Sequence, residues 1–184
     1  MIASVAAMAS PNILIVGGGL TSAVTCRALC RALPAGSRVD VWEAMDALGG
    51  RFHTERTADG GACDTGAQYV TVTDDEAAAA ANAPLFEELT SAGVLAPLRG
   101  RIEGGRAADG AGANYVAPAG LSSVVSHLFT SSGITPAVAR RAVSLRCAAS
   151  SDGGTVTWEA RASDGYTQRY DGCLLYTSPS PRDS

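Results

Sequence analysis

Residues 12–16, Asn-Ile-Leu-Ile-Val, run straight into Gly17-Gly18-Gly19, and a helical pattern then extends from Leu20 to Leu33. No other feature limits the possible folds of this chain as tightly. The apolar run, rich in β-branched residues, reads as a buried strand, and the glycines permit the sharp turn that leads into a helix. Pro34-Ala35-Gly36 ends that helix, and Val39 to Glu43, carrying Trp42, alternates as a second strand. Strand, helix and strand within about 30 residues form the βαβ unit of a parallel sheet.

In such a unit the first glycine allows the turn and the second lets backbone approach a pyrophosphate. The helix N-terminus then offers unpaired N–H groups and the positive end of its dipole. Gly17 and Gly19 fill the two glycine positions. Ser22 stands where a third glycine is usual, which a small residue tolerates because that position serves helix–strand packing. Thr21 falls in the first helical turn, within reach of a phosphate by hydroxyl or N–H. Glu43 follows Gly19 by 24 residues, about where an acidic side chain binds a ribose diol, and its charge disfavours NADP. The plainer readings are a glycine-rich turn and an exposed strand-end charge. NAD and FAD share all these features, so this unit leaves the two open.

The chain has 184 residues, enough for one domain, or for one domain and part of a second, and its 46% apolar content suffices for a core. A formal charge of −4 argues against nucleic acid or an anionic membrane surface as partner. No apolar stretch approaches the ~20 residues of a membrane-spanning helix. "MIASVAAMAS" lacks a basic leader region, so no signal peptide and a cytoplasmic location are expected. Cys26, Cys30, Cys63, Cys147 and Cys173 show no CxxC or metal-like spacing, and no metal site is expected. Cys26 and Cys30 read as core thiols beside Leu29 and Leu33. Of the two histidines, His127 shares its helix face with Ser123, Ser126 and Thr130, which predicts exposure.

Gly49 to Gln68 reads as loop with short extended pieces. "DDEAAAAANAPLFEELTSAG" is helical, with Leu85, Phe86, Leu89 and Ala92 on one face, and "GRIEGGRAADGAGANYVAP" reads as extended pieces and turns. Leu121, Val124, Val125, Leu128 and Phe129 give the cleanest amphipathic helix. "VARRAVSLRCAAS", "TVTWEARA" and "YTQRYD", parted by "SDGG" and "SDG", predict a three-stranded antiparallel meander.

Downstream of Glu43, "EAMDALGGR" and "DTGAQY" resemble the flavin-containing amine oxidase superfamily, and several longer strings resemble its renalase-like members. "CDTGAQYVT" matches the pattern ADxGAQYxT, "GVLAPLRGRIEG" matches GVLxPL…IEG, and "NYVAPAGLSSVVSHLFTSSG" matches NFVAPxGISSIIxHxxxxSG, in that order. The resemblance covers Asn12 to Gly172. It implies FAD as cofactor, with Gly49 and Gly50 passing close to it and Thr21 and Arg51 on its phosphates. The string Gly66-Ala67-Gln68-Tyr69 would lie at the cofactor, with Gln68 and Tyr69 beside the flavin, and Val143 would offer backbone to the adenine. Physics alone reads "GAQY" as a glycine turn entering a strand.

The implied fold is α/β: a Rossmann-like FAD-binding domain with a parallel sheet, a β-meander and part of a substrate domain. The expected division is a flexible N-terminus (1–11), the βαβ unit with both glycine loops (12–72), a partial substrate-domain insertion (73–132), the meander (133–172) and a tail (173–184). The tail, "CLLYTSPSPRDS", resembles the translation of a sequencing-library adapter and is expected to be non-native, though "CLLYT" is apolar enough for a strand slot.

The implied activity is hydride transfer from a dihydronicotinamide isomer or an amine to flavin, with reoxidation by O2 to hydrogen peroxide, this chain being an inactive N-terminal half. No acid–base pair stands out, in keeping with chemistry carried by a cofactor, and no catalytic residue is nominated. An NAD-dependent dehydrogenase and a non-catalytic nucleotide-binding module are the alternatives.

Overall fold

Alternation along β1 (Asn12–Val16) sets the layering of the protein. Successive strand residues point to opposite faces. Ile13 and Ile15 enter one core cluster and Leu14 enters another. The computed structural model describes residues 10–100, 114–149 and 156–175. β1 is the middle strand of a parallel sheet, with β2 (Arg38–Trp42) on one side and β11 (Gly172–Leu175) on the other. Burial on both faces explains why β1 reads as a nearly continuous apolar run.

The first face is covered by α1 (Leu20–Ala32) and α3 (Ser122–Ser131). Ala23, Cys26 and Leu29 of α1 share one core with Val124, Val125, Leu128 and Phe129 of α3, and with Ile13, Ile15 and Val41 of the sheet. α3, grouped by sequence with residues 73–132, therefore packs directly against the first βαβ unit. The meander covers the second face: β8 (Ala142–Ala149), β9 (Val156–Ala162) and β10 (Thr167–Tyr170), antiparallel in the order β10-β9-β8. Its Ala160, Ala162 and Tyr170 pack on Leu14 and Trp42.

Three smaller pieces and a single 3-10 turn at Gly50–Phe52 complete the regular structure of the described residues. β3 (Thr54–Arg56) and β4 (Ala62–Asp64) form a hairpin. β5 (Val70–Thr71), β7 (Asn114–Val116) and β6 (Ala96–Pro97) form a short antiparallel sheet. α2 (Glu76–Ser91) begins where Asp75 accepts a 2.7 Å bond from the Ala78 N–H, an N-cap that satisfies an orphan donor.

The structure corrects several expectations. The second strand ends at Trp42, so Glu43 is the first residue beyond it. Cys26 is buried but Cys30 is exposed. The buried face of α1 is Ser22, Ala23, Cys26 and Leu29, and position 30 lies past its edge. Burial pushes the Cys26 thiol up to about 12, with the neighbouring Cys30 adding to the shift. His127 is only partly exposed, its Nε2 3.6 Å from Glu88 Oε1. Glu88 also receives both terminal nitrogens of Arg27, so one carboxylate ties α2 to α1 and α3.

The segment that the sequence sets apart from Cys173 onward enters the sheet as β11, Cys173 beside Leu14 and Leu174 beside Ile15. Residues 176–184 lie outside the described residues, as does most of "GRIEGGRAADGAGANYVAP". No helix among the described residues is long and apolar enough to cross a membrane.

Candidate functional site

The chain leaves β1 toward β2 on one side, while β11 takes the place on the other. The carboxyl end of β1 is thus a switch point, where open α/β sheets keep their ligand crevice. A crevice of about 580 Å³ opens there, lined by Val16 to Ser22, Glu43, Gly49 to Phe52, Gly66 and Ala67. Three glycine-bearing segments, far apart in sequence, make its walls.

Backbone hydrogen bonds join those segments. The Gly49 N–H donates to the Gly18 carbonyl at 3.0 Å, and Gly19 and Gly49 form a parallel bridge. The Ala67 N–H donates to the Arg51 carbonyl at 2.9 Å. Gly66 is dictated by this join: a Cβ there would sit 2.1 Å from the Arg51 carbonyl oxygen. Gly17 has a different reason. Its φ of +106° suits glycine, and a Cβ would find no protein atom nearer than Ser22 Oγ at 4.0 Å. What that glycine keeps clear is the crevice itself.

α1 starts at this wall with Gly19 as N-cap, no side-chain cap and no acid in its first turn. Its first N–H groups lack intrahelical partners, and the helix dipole is positive here. Thr21 is exposed and Ser22 is 5% exposed. Ser22 therefore packs beneath the loop, whereas Thr21 stands at its surface. Arg51 is exposed and makes no ion pair among the described residues. A bare backbone cradle, a helix N-terminus and a free guanidinium fit a diphosphate.

Glu43 is held more firmly than the sequence implies. Its Oε2 accepts the Gly18 N–H at 2.6 Å and its Oε1 accepts the Met45 N–H at 2.7 Å. Each carboxylate oxygen keeps a second lone-pair site, so capacity for ribose hydroxyls remains. A neighbouring cavity of about 740 Å³ shares Glu43 and Gly50 with the crevice.

Of the residues named from sequence, Gly17, Gly19, Thr21, Ser22, Glu43, Gly49, Gly50, Arg51, Gly66 and Ala67 meet at this crevice. Gln68 and Tyr69 follow directly on its wall but do not line it, and Tyr69 is 39% exposed. Val143 lies outside the crevice too, exposed on β8, where the pairing register passes from Ala142 to Ser144 and skips it. Four lining residues were not named as site residues from sequence: Val16, Gly18, Leu20 and Phe52. Val16 and Leu20 were read only as the strand end and the helix start, Gly18 had a signal in the triple glycine, and Phe52 had none beyond following Arg51.

Asp64, inside the "CDTGAQY" string, is a joint rather than a lining residue. Its Oδ1 accepts the Leu121 N–H at 2.9 Å and the Thr54 hydroxyl at 2.6 Å, and Thr54 Oγ1 accepts the Ser122 N–H at 3.0 Å. The start of α3 is thereby tied to the hairpin that leads into Gly66.

Fold and crevice define a Rossmann-like nucleotide-binding protein, and residues 15–84 match the family model described as an NAD(P)-binding Rossmann-like domain. Among curated proteins, the renalase of Mus musculus is 31% identical over 174 residues, which span 93% of this chain and 48% of that protein. Together these matches support a renalase-like member of the flavin-containing amine oxidase superfamily. The chain spans about half the length of the curated relative it matches. The fold is also that of a solved structure, the Diels–Alderase PyrE3 of the pyrroindomycin biosynthetic pathway, with a TM-score of 0.53 and 18% identity, covering 90% of this chain and 32% of that one.

Proposed function

We propose that this chain carries the cofactor-binding portion of an FAD-dependent oxidoreductase of the renalase type. The observation that carries the reading is the convergence of residues 17–22, 49–52 and 66–67 on one crevice at the end of β1. A nicotinamide dinucleotide needs only the first of these segments and the acid after β2. The second glycine pair with Arg51, and the "GAQY" entry bonded to it, are the additions that favour a flavin dinucleotide.

In this reading, first-turn N–H groups of α1 and the Thr21 hydroxyl meet the diphosphate, Arg51 neutralises it, and Glu43 accepts from the ribose diol. Gln68 and Tyr69 flank the flavin end, and Val143 offers backbone to the adenine. When bound, the cofactor supplies acceptance of a hydride from a dihydronicotinamide isomer or an amine, with O2 as final oxidant and H2O2 as product. The protein's share is to bind, orient and shield.

The test is the visible spectrum of the native gene product and the identity of the ligand released from it. Flavin bands with FAD in the extract are expected, together with peroxide on turnover of a dihydronicotinamide or an amine. Bound NAD without flavin would replace this reading with a dehydrogenase, and bound FAD without peroxide would leave a non-catalytic module. Arg51→Ala should weaken FAD retention about tenfold or more, the scale of one charge-assisted bond. Unchanged retention would remove Arg51 from the site. We further infer that these 184 residues alone hold FAD weakly and turn nothing over, and stoichiometric FAD on them would overturn that.

A further inference from the structure

We propose that Arg140 is a positioning residue for ribose recognition, acting through the backbone of Glu43. The proposal rests on the reading of Glu43 as the ribose-binding carboxylate. Residues 137–140 lie alongside the end of β2 like a short added strand. Trp42 and Ala137 form a parallel bridge. The Glu43 N–H donates to the Ala137 carbonyl at 2.9 Å, the Arg140 N–H donates to the Glu43 carbonyl at 2.7 Å, and the Ala139 N–H donates to the Met45 carbonyl at 2.7 Å. Both main-chain groups of Glu43 are therefore fixed by this one segment.

The segment is not relaxed. Ala139 has φ +53°, the one positive φ outside glycine among the described residues. An alanine stays there only when its surroundings dictate it. Arg140 provides much of that constraint. Its guanidinium lies 4.5 Å from the Tyr166 ring centroid and 5.9 Å from that of Trp42, and its Nε donates to Asp164 Oδ2 at 2.9 Å. Stacking and a charged hydrogen bond both suit a planar guanidinium. One residue thus fastens its side chain to the meander while its N–H holds the residue expected to read the sugar. Neither Arg140 nor Tyr166 lines the crevice, so the effect is on the placement of Glu43 and not on contact with ligand.

The experiment compares the affinities of the 184-residue chain for ADP, 2′-deoxy-ADP and inorganic pyrophosphate by calorimetric titration. The wild-type chain should prefer ADP over 2′-deoxy-ADP by about tenfold, the worth of one hydrogen bond to a carboxylate. Arg140→Ala should bring that ratio toward one while leaving pyrophosphate affinity as it was. Glu43→Gln should lower the same ratio directly, and Arg140→Lys, which keeps the cation but not the planar stack or the Nε bond, should restore it only in part. If Arg140→Ala does not fold, Asp164→Asn serves instead: it sits on an exposed turn, keeps the acceptor for the Tyr166 N–H and loses the charge that holds Arg140. A full ADP preference in both variants would overturn the proposal. Absence of that preference in the wild-type chain would instead count against Glu43 as the sugar reader, and absence of ADP binding would count against the diphosphate site; the proposal falls with either.

Discussion

The two faces of the parallel sheet are fastened by different means. At the crevice the loop-to-loop joints are backbone to backbone, Gly49 to Gly18 and Ala67 to Arg51, with the Glu43 carboxylate on the Gly18 N–H as the side-chain addition. On the meander face the joints are side chains. Trp42 meets Tyr166 and Tyr170 edge-on at 5.8 and 6.1 Å, and the Tyr170 hydroxyl donates to Asp40 at 2.8 Å. Burial and the acceptance of that bond by Asp40 push the Tyr170 phenol well above its usual range, so it remains a donor at any physiological pH. The main-chain joints hold the crevice walls together, and the side-chain joints place their bulk outside the crevice.

Substitutions should separate the two. Trp42→Ala removes the aromatic centre of the meander core and should cost about 3–5 kcal/mol in chemical denaturation, a loss of fold before any loss of ligand. Gly66→Ala should cost about 1–3 kcal/mol through overpacking against the Arg51 carbonyl, and it should abolish cofactor retention even where the chain stays folded. Should Gly66→Ala bind normally, the crevice wall is not as rigid as its hydrogen bonds imply. Tyr170→Phe leaves ring packing intact and deletes one hydrogen bond, for about 1 kcal/mol and no change in binding.

The smallest effect concerns pH. Hydrogen bonds from Arg27, joined by its charge and by His127, hold Glu88 below its ordinary 4.5. With the folded value below the unfolded one, the stabilisation is complete above the unfolded pKa and is lost as pH falls through the folded one. Glu88→Gln should therefore flatten the acid limb of a stability–pH curve while leaving the neutral region lower by an amount typical of a partly exposed pair, about 1 kcal/mol or less. An acid limb identical to wild type would show that α2 is held by its apolar contacts alone.

The same contrast explains what was legible in the sequence. Glycine has backbone consequences that can be read residue by residue, so Gly17 and Gly19 could be named from the first unit itself, whereas Gly49, Gly50 and Gly66 came only through the family resemblance. The strand-to-helix order of the first unit was equally open, because β1, α1 and β2 are consecutive. The strap at 137–140 was hidden: an alanine with positive φ has no sequence signature, and its partners at 42–45 are nearly a hundred residues away. Cys30 misled because spacing by four places a residue near a buried neighbour without saying where the buried face ends. Arg140 was not singled out, since a cation over two rings exists only once the meander has folded onto the sheet.

The hydrogen bond from Gly49 to Gly18 has an evolutionary corollary. Because main-chain atoms gauge the gap between the two loops, the aperture is indifferent to which side chains border it. Mutational drift at Thr21, Arg51 and Phe52 can then retune the grip on a ligand without altering the width of the slot, so new specificities are accessible on this frame without reinventing it.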